Sequence, residues 1–184
     1  MKTKGASKQK QETKKNSKPP VINSSQETLR ANIGKTEKNI QPVVNSLNKL
    51  LADEHVLYTK TRNYHWNVEG SNFMEMHKFY ETLYSELAEV IDVVAERIRS
   101  IGHYSQGRLK DFIELTNLLE PDYTTDQKSQ LQNLLEDHET ISRYLRKDIP
   151  VFNDQYHDIG NADILTDLLK SHEKWAWFIR SYLS

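Results

Sequence analysis

Apolar residues recur at three- and four-residue spacing through most of the chain from Pro42 onward, and no stretch alternates with the period of a strand. The first run is Val43, Val44, Leu47, Leu50, Leu51, His55 and Tyr58. It predicts a helix with Pro42 in its first turn, where a missing N–H costs nothing, running to about Trp66 and stopping in "NVEG". Asn72 with Glu75 three residues later reads as a capping box for a second helix. That helix continues to Ile101, stops at Gly102 and is about 45 Å long. "RLKDFIELTNLL" predicts a short connecting helix. Thr124 with Gln127 reads as the cap of a third long helix carrying Leu131, Leu134, Leu135, His138, Ile141 and Leu145, which Pro150 bends or ends. Gly160-Asn161 reads as a stop followed by a cap, and a fourth helix carries Ile164, Leu165, Leu168, Leu169, His172 and Trp175 to the end of the chain. The expected fold is all-α: a four-helix bundle over residues 42–184 with a short extra helix between the second and third.

The pattern fails before Pro42. Residues 1–22 hold Lys, Ser, Thr, Gln and Asn with no apolar periodicity, which reads as a flexible tail. Residues 23–41 read as a linker able to form one short helix in "SSQETLRANIG", stopped at Gly34. Charge sharpens this division. Seven Lys and one Glu fall in residues 1–20, so the arm carries +6 and the remainder −7 of a net charge of −1. Lys2, Lys4, Lys8, Lys10, Lys14, Lys15 and Lys18 are candidates for sequence-independent phosphate contacts, alongside the plainer reading of a solubilising tail. No stretch approaches the roughly 18 apolar residues of a membrane span, and no apolar signal core precedes the body, so a cytoplasmic protein is expected. With no Cys, any metal site must use His and carboxylates.

The second predicted helix carries such a set. His77 and Glu81 share a face, as do Asp92 and Glu96, and the eleven residues from Glu81 to Asp92 are close to three whole turns. His77 and Asp92 nevertheless stand about 22 Å apart along the axis, too far for one site. Two copies of the helix packed antiparallel about a two-fold axis would remove the conflict. His77 and Glu81 of one chain would face Asp92 and Glu96 of the other, and His65, brought back by the turn, would join the His77 side. Imidazoles with three carboxylates suit Fe(II), Mn(II) or Zn(II), and favour iron or manganese over closed structural zinc, which makes iron oxidation the natural hypothesis. None of the seven His has Glu three residues before it, which disfavours an intrachain di-iron centre. Spacing alone leaves His65 and His77 open as structural histidines and the carboxylates open as a solvated stripe.

Other positions have two readings each. Trp66 is a packing residue or a radical quencher beside a metal. Asp154, Asp158 and Asp163 either solvate and cap a turn or guide cations by focusing negative potential. His55, His138 and His172 lie on apolar stripes as core histidines, and His103 and His157 read as exposed. Trp175 and Trp177 read as core or interface. Arg62, one turn before His65, could pair with Glu81 and compete with metal there.

His65-Trp66-Asn67-Val68-x-Gly70, then Asn72-Phe73, His77, Asp92 and Ala95-Glu96-Arg97-Ile98, together resemble the Dps family, the DNA-protection-during-starvation mini-ferritins. The resemblance covers roughly residues 42–183, including the closing "HEKWAWFIRSYL". It implies a ferritin-like subunit and a hollow homo-dodecamer built on two-fold dimers. By motif position it implies ferroxidase sites of two iron positions, with His65, His77 and Glu81 from one subunit and Asp92 and Glu96 from its mate. The implied activity is Fe(II) oxidation, preferably by hydrogen peroxide, with ferric storage inside and protection of DNA. Lys-rich tails in the family tend to bind DNA, which implies a nucleoid-associated protein. Glu81 departs from the pattern, since that position is more often Asp, and this puts the second iron position in doubt as a weak one. The alternative is a DNA-binding structural cage with a vestigial site; a third reading is a plain helical interaction protein.

Overall fold

A computed structural model describes residues 31–184, so the tail and most of the linker lie outside the described residues. The elements are α1 (Glu37–Asn67), α2 (Phe73–Ser100), α3 (Leu109–Leu115), α4 (Gln127–Pro150) and α5 (Ile159–Leu183), with a π-helical turn (Val151–Gln155) between the last two. Among the described residues there is no strand, only a single parallel bridge between Glu69 and Asp126. α1 packs against α2 and α4 against α5, so two helical hairpins meet across one core. That core contains Val43, Leu47, Leu51 and Leu57 of α1, Leu83, Leu87, Val94 and Ile98 of α2, Leu134 and Ile141 of α4, and Leu165 and Ile179 of α5. The expected ferritin-like bundle with its extra short helix is therefore present.

The helix starts differ from the sequence reading, each for a local reason. α1 opens at Glu37, where Thr36 O receives the N–H groups of Asn39 and Ile40. Pro42 thus sits in the second turn, not the first, and the Lys38 carbonyl loses its helical donor at an exposed end that water can serve. The short helix expected to stop at Gly34 falls mostly outside the described residues, and residues 31–36 are not helical. Asn72 does stand at the start of α2, but its side chain makes no capping bond, and Glu75 accepts from the Tyr182 hydroxyl. α4 is capped by Asp126, which accepts from Ser129 N at 2.8 Å, whereas Thr124 only steadies Asp126 N. α5 is capped by Asp158, which places Gly160 and Asn161 inside the first turn.

Gly102 ends α2 as expected, at φ +93°, and a side chain there would also crowd Ala31, 3.1 Å from the position of a Cβ. The segment before α1 is further tied down by Lys35, which reaches His157 O at 3.1 Å and Asp158 at 3.0 Å.

The core is not wholly apolar. Lys60 of α1 and Asp137 of α4 form a buried pair at 2.5 Å, with Lys60 also donating to Leu119 O. Asp53 is buried and accepts from Thr116 Oγ1, Asn117 N and Asn117 Nδ2, which fixes the loop after α3. His138 and His172 are fully buried, as the stripes predict, but Glu54 and not His55 is the buried neighbour on α1. His55 is half-buried and stacks on Phe112 at 4.0 Å.

Candidate metal centre

α1 ends and α2 begins around a turn that Gly70 makes possible. Its φ of +125° suits glycine, and a Cβ would lie 2.9 Å from Gln127 Nε2. The turn doubles the chain back so that His65, in the last turn of α1, meets His77, in the second turn of α2. Their rings stack with centroids 3.7 Å apart and planes 21° from parallel. Each histidine also binds the other's backbone: His65 Nδ1 to His77 O and His77 Nδ1 to His65 O, both 2.9 Å. A carbonyl oxygen only accepts, so both Nδ1 atoms carry the hydrogen and only the Nε2 atoms can serve as ligands. Imidazoles fixed in this way, through Nδ1–H to a backbone carbonyl, are an arrangement metal sites use. Tyr84 meets the His65 ring edge-on at 5.2 Å, and Phe73 stacks on His77 at 5.2 Å.

The carboxylates do not join them in one subunit. Glu81 is exposed, with Lys78 at 3.8 Å as its neighbour. Asp92 and Glu96 are exposed further along α2, beside Val93, which is 48% exposed. Among the described residues no group of three or more His, Asp or Glu is close enough to hold a metal. Asp92 stands about 22 Å along α2 from His77, whereas Glu81 lies only one turn from His77 and still does not group with the two imidazoles.

Arg62 does not pair with Glu81, contrary to expectation. Its Nη1 donates to Tyr58 OH at 2.7 Å, and its guanidinium lies over the rings of Tyr84, Trp66 and Tyr58 at 4.9, 5.1 and 5.6 Å. Three aromatic faces outcompete one exposed carboxylate for it. Trp66 is 61% exposed, so within the subunit it is not a core residue. Tyr84 was missed in the sequence and Tyr58 was read only as part of the apolar stripe, although Tyr58, Arg62 and Trp66 stand at successive four-residue steps on α1.

The acidic trio at the other end divides. Asp158 is buried, caps α5 and binds Lys35. Asp154 is exposed and accepts from Asn153, and Asp163 is exposed within α5. Lys2, Lys4, Lys8, Lys10, Lys14, Lys15 and Lys18 lie outside the described residues.

Residues 44–184 match the Ferritin-like domain model. The chain is 33% identical over 142 residues to DNA protection during starvation protein 2 of Bacillus anthracis, covering 77% of this chain and 97% of that one. The chain belongs to the Dps family. The chain is also 41% identical over 157 residues to an uncharacterised low temperature-induced protein of Nostoc, covering 84% and 87% of the two chains. Its Dps-type fold aligns with TM-score 0.80 and 26% identity to the Dps protein of Vibrio cholerae O1, over 86% of this chain and all of that one. That protein is described as a member of a broad superfamily of ferritin-like diiron-carboxylate proteins. Among the described residues no helix is long and apolar enough to cross a membrane.

Proposed function

We propose that this Dps-family chain oxidises Fe(II) at sites shared by two subunits and stores the ferric product inside a hollow homo-dodecamer. The observation that carries the reading is the reciprocal His65–His77 bonding, which occupies both Nδ1 atoms and reserves both Nε2 atoms as ligands. His65, His77 and Glu81 of one subunit then face Asp92 and Glu96 of the partner subunit. Fe(II) is the substrate. Two Fe(II) ions give one electron each to hydrogen peroxide, which takes up two protons and leaves as two waters. The long Glu81 side chain makes the second iron position the weaker one. Trp66, exposed one residue from His65, intercepts oxidising equivalents that escape, and Asp154 and Asp163 draw cations toward the interior while Asp158 holds their turn.

Stopped-flow oxidation on a sample of measured mass tests this: peroxide is expected to consume Fe(II) faster than dioxygen at equal electron equivalents. Slow oxidation with both, by a protein that is a stable dimer or larger, would sink the assignment.

The Lys-rich arm supplies the second half of the reading, binding DNA without sequence preference in the cytoplasm at the nucleoid. Deletion of residues 2–20 is expected to abolish a DNA mobility shift whose affinity falls steeply with salt, by a log–log slope of up to about −6 for seven lysines. An unchanged shift in the deleted protein would place DNA binding on the bundle.

A further inference from the structure

At the centre of the bundle Glu54 of α1, His138 of α4 and His172 of α5 are each fully buried. His172 Nε2 lies 2.8 Å from Glu54 Oε1, and its Nδ1 lies 2.9 Å from Nδ1 of His138. Glu54 Oε2 and His138 Nε2 are buried with no hydrogen-bond partner among the described residues, so the line has no other protein outlet. Two Nδ1 atoms can share a hydrogen bond only when one carries the hydrogen and the other is bare. A carboxylate bound to one imidazolium, which in turn donates to a neutral imidazole, satisfies this and leaves no net charge inside. One more proton puts two N–H groups face to face at that 2.9 Å spacing, on two like charges in a medium of low dielectric.

The line also joins the two halves of the fold. Glu54 belongs to the α1–α2 hairpin, and both histidines belong to the α4–α5 hairpin. Trp175 reinforces the join: its ring lies 5.3 Å from His138 and 5.1 Å from His172, and its Nε1–H donates to Glu86 of α2 at 2.6 Å.

We infer that Glu54, His172 and His138 form a proton-operated clasp, which holds the hairpins together while one proton sits between the rings and releases them when a second arrives. The direction of the titration agrees. Burial, and after it the charge of His172, pushes the His138 imidazole well below its ordinary range. An unfolded His takes its proton near pH 6.5, so below that pH the unfolded state binds more protons, and stability present above it is lost as pH falls.

Other groups around the clasp act separately. His55, lowered by burial against the pull of Glu54, weakens the fold in acid in the same sense. Asp137, which faces Lys60, and Asp53, which faces Asn117, are raised by burial and act in the opposite sense. Glu86 faces Trp175, and Glu173 of α5 is taken by Arg146. Of all these, only the His138–His172 contact has two ring nitrogens sharing a proton, so removing one imidazole isolates it.

Urea unfolding of the full chain between pH 7.5 and 5 is the test, compared with His138→Asn, whose amide can still donate but cannot take up a proton. The unfolding constant of the wild-type chain is expected to rise as pH falls below about 6.5, and His138→Asn to remove about tenfold per pH unit from that rise. An unchanged slope in the variant overturns the clasp. Should the variant fail to fold, exchange of the imidazole C2 hydrogens in the native wild-type protein, read peptide by peptide by mass spectrometry, decides. His138 is expected to show no inflection between pH 7.5 and 5.5. An ordinary inflection near 6.5 at His138 would mean that the second proton enters freely and the clasp does not exist.

Discussion

Mixing two inactive variants is expected to restore Fe(II) oxidation. A chain with His65 and His77 changed to Ala lacks one half of the proposed site, and a chain with Asp92 and Glu96 changed to Ala lacks the other. Each alone should oxidise Fe(II) at the rate of buffer. In a dimer of one of each, one two-fold-related site loses both halves and the other keeps both. Random co-assembly of equal amounts should therefore recover roughly a quarter of wild-type activity. A chain carrying all four changes, mixed with wild type, should also give about a quarter, which controls for the efficiency of mixing. Continued inactivity of the first mixture, with the control intact, would mean that the carboxylates and imidazoles do not share a site. Oxidation kinetics and the mass of each assembly provide both readings.

A large stability effect is expected at the Lys60–Asp137 pair, because both side chains are only 7% exposed. Asp137→Ala leaves the Lys60 ammonium buried against the Leu119 carbonyl alone. Breaking a buried pair in this way costs about 3–5 kcal/mol. For a chain of this size that lowers the midpoint of thermal unfolding by roughly 6–20 °C. Replacing both partners with Lys60→Met and Asp137→Leu should recover most of the loss, since two apolar side chains need no desolvation. Calorimetry on the two variants checks the order. In the wild-type chain burial outweighs the attraction of Lys60 and pushes the Asp137 carboxyl up to about 6. Its contribution is therefore fully present below its unfolded value near 4 and is lost as pH rises through 6, and the double variant should lack that part of the profile.

The long-range plan of the molecule was legible because helices of 24 to 31 residues repeat their apolar spacing many times over. The caps were less so. Asp126 and Asp158 were passed over for Thr124 and Asn161, since several short polar side chains stood within reach of each helix start and only the backbone path decides among them. The meeting of His65 and His77 across the turn was legible in the sequence, but the bonds from each ring to the other's backbone were not, because a backbone carbonyl leaves no trace in side-chain spacing. The pairing with Glu81 that the sequence allowed to Arg62 is not formed, because charge pattern alone says nothing of the aromatic face that Tyr84 brings from α2. Glu54 was overlooked because an acidic residue on an apolar stripe reads as rim until its partner 118 residues away is known.

The mutual bonding of His65 and His77 has a consequence for how such a chain changes over generations. Each ring is held by the main chain of the other's residue, so replacing either side chain leaves the survivor's own hydrogen bond in place. One histidine can be exchanged without releasing its neighbour. Two positions twelve residues apart can therefore vary one at a time, each keeping its own ring orientation through the backbone they share.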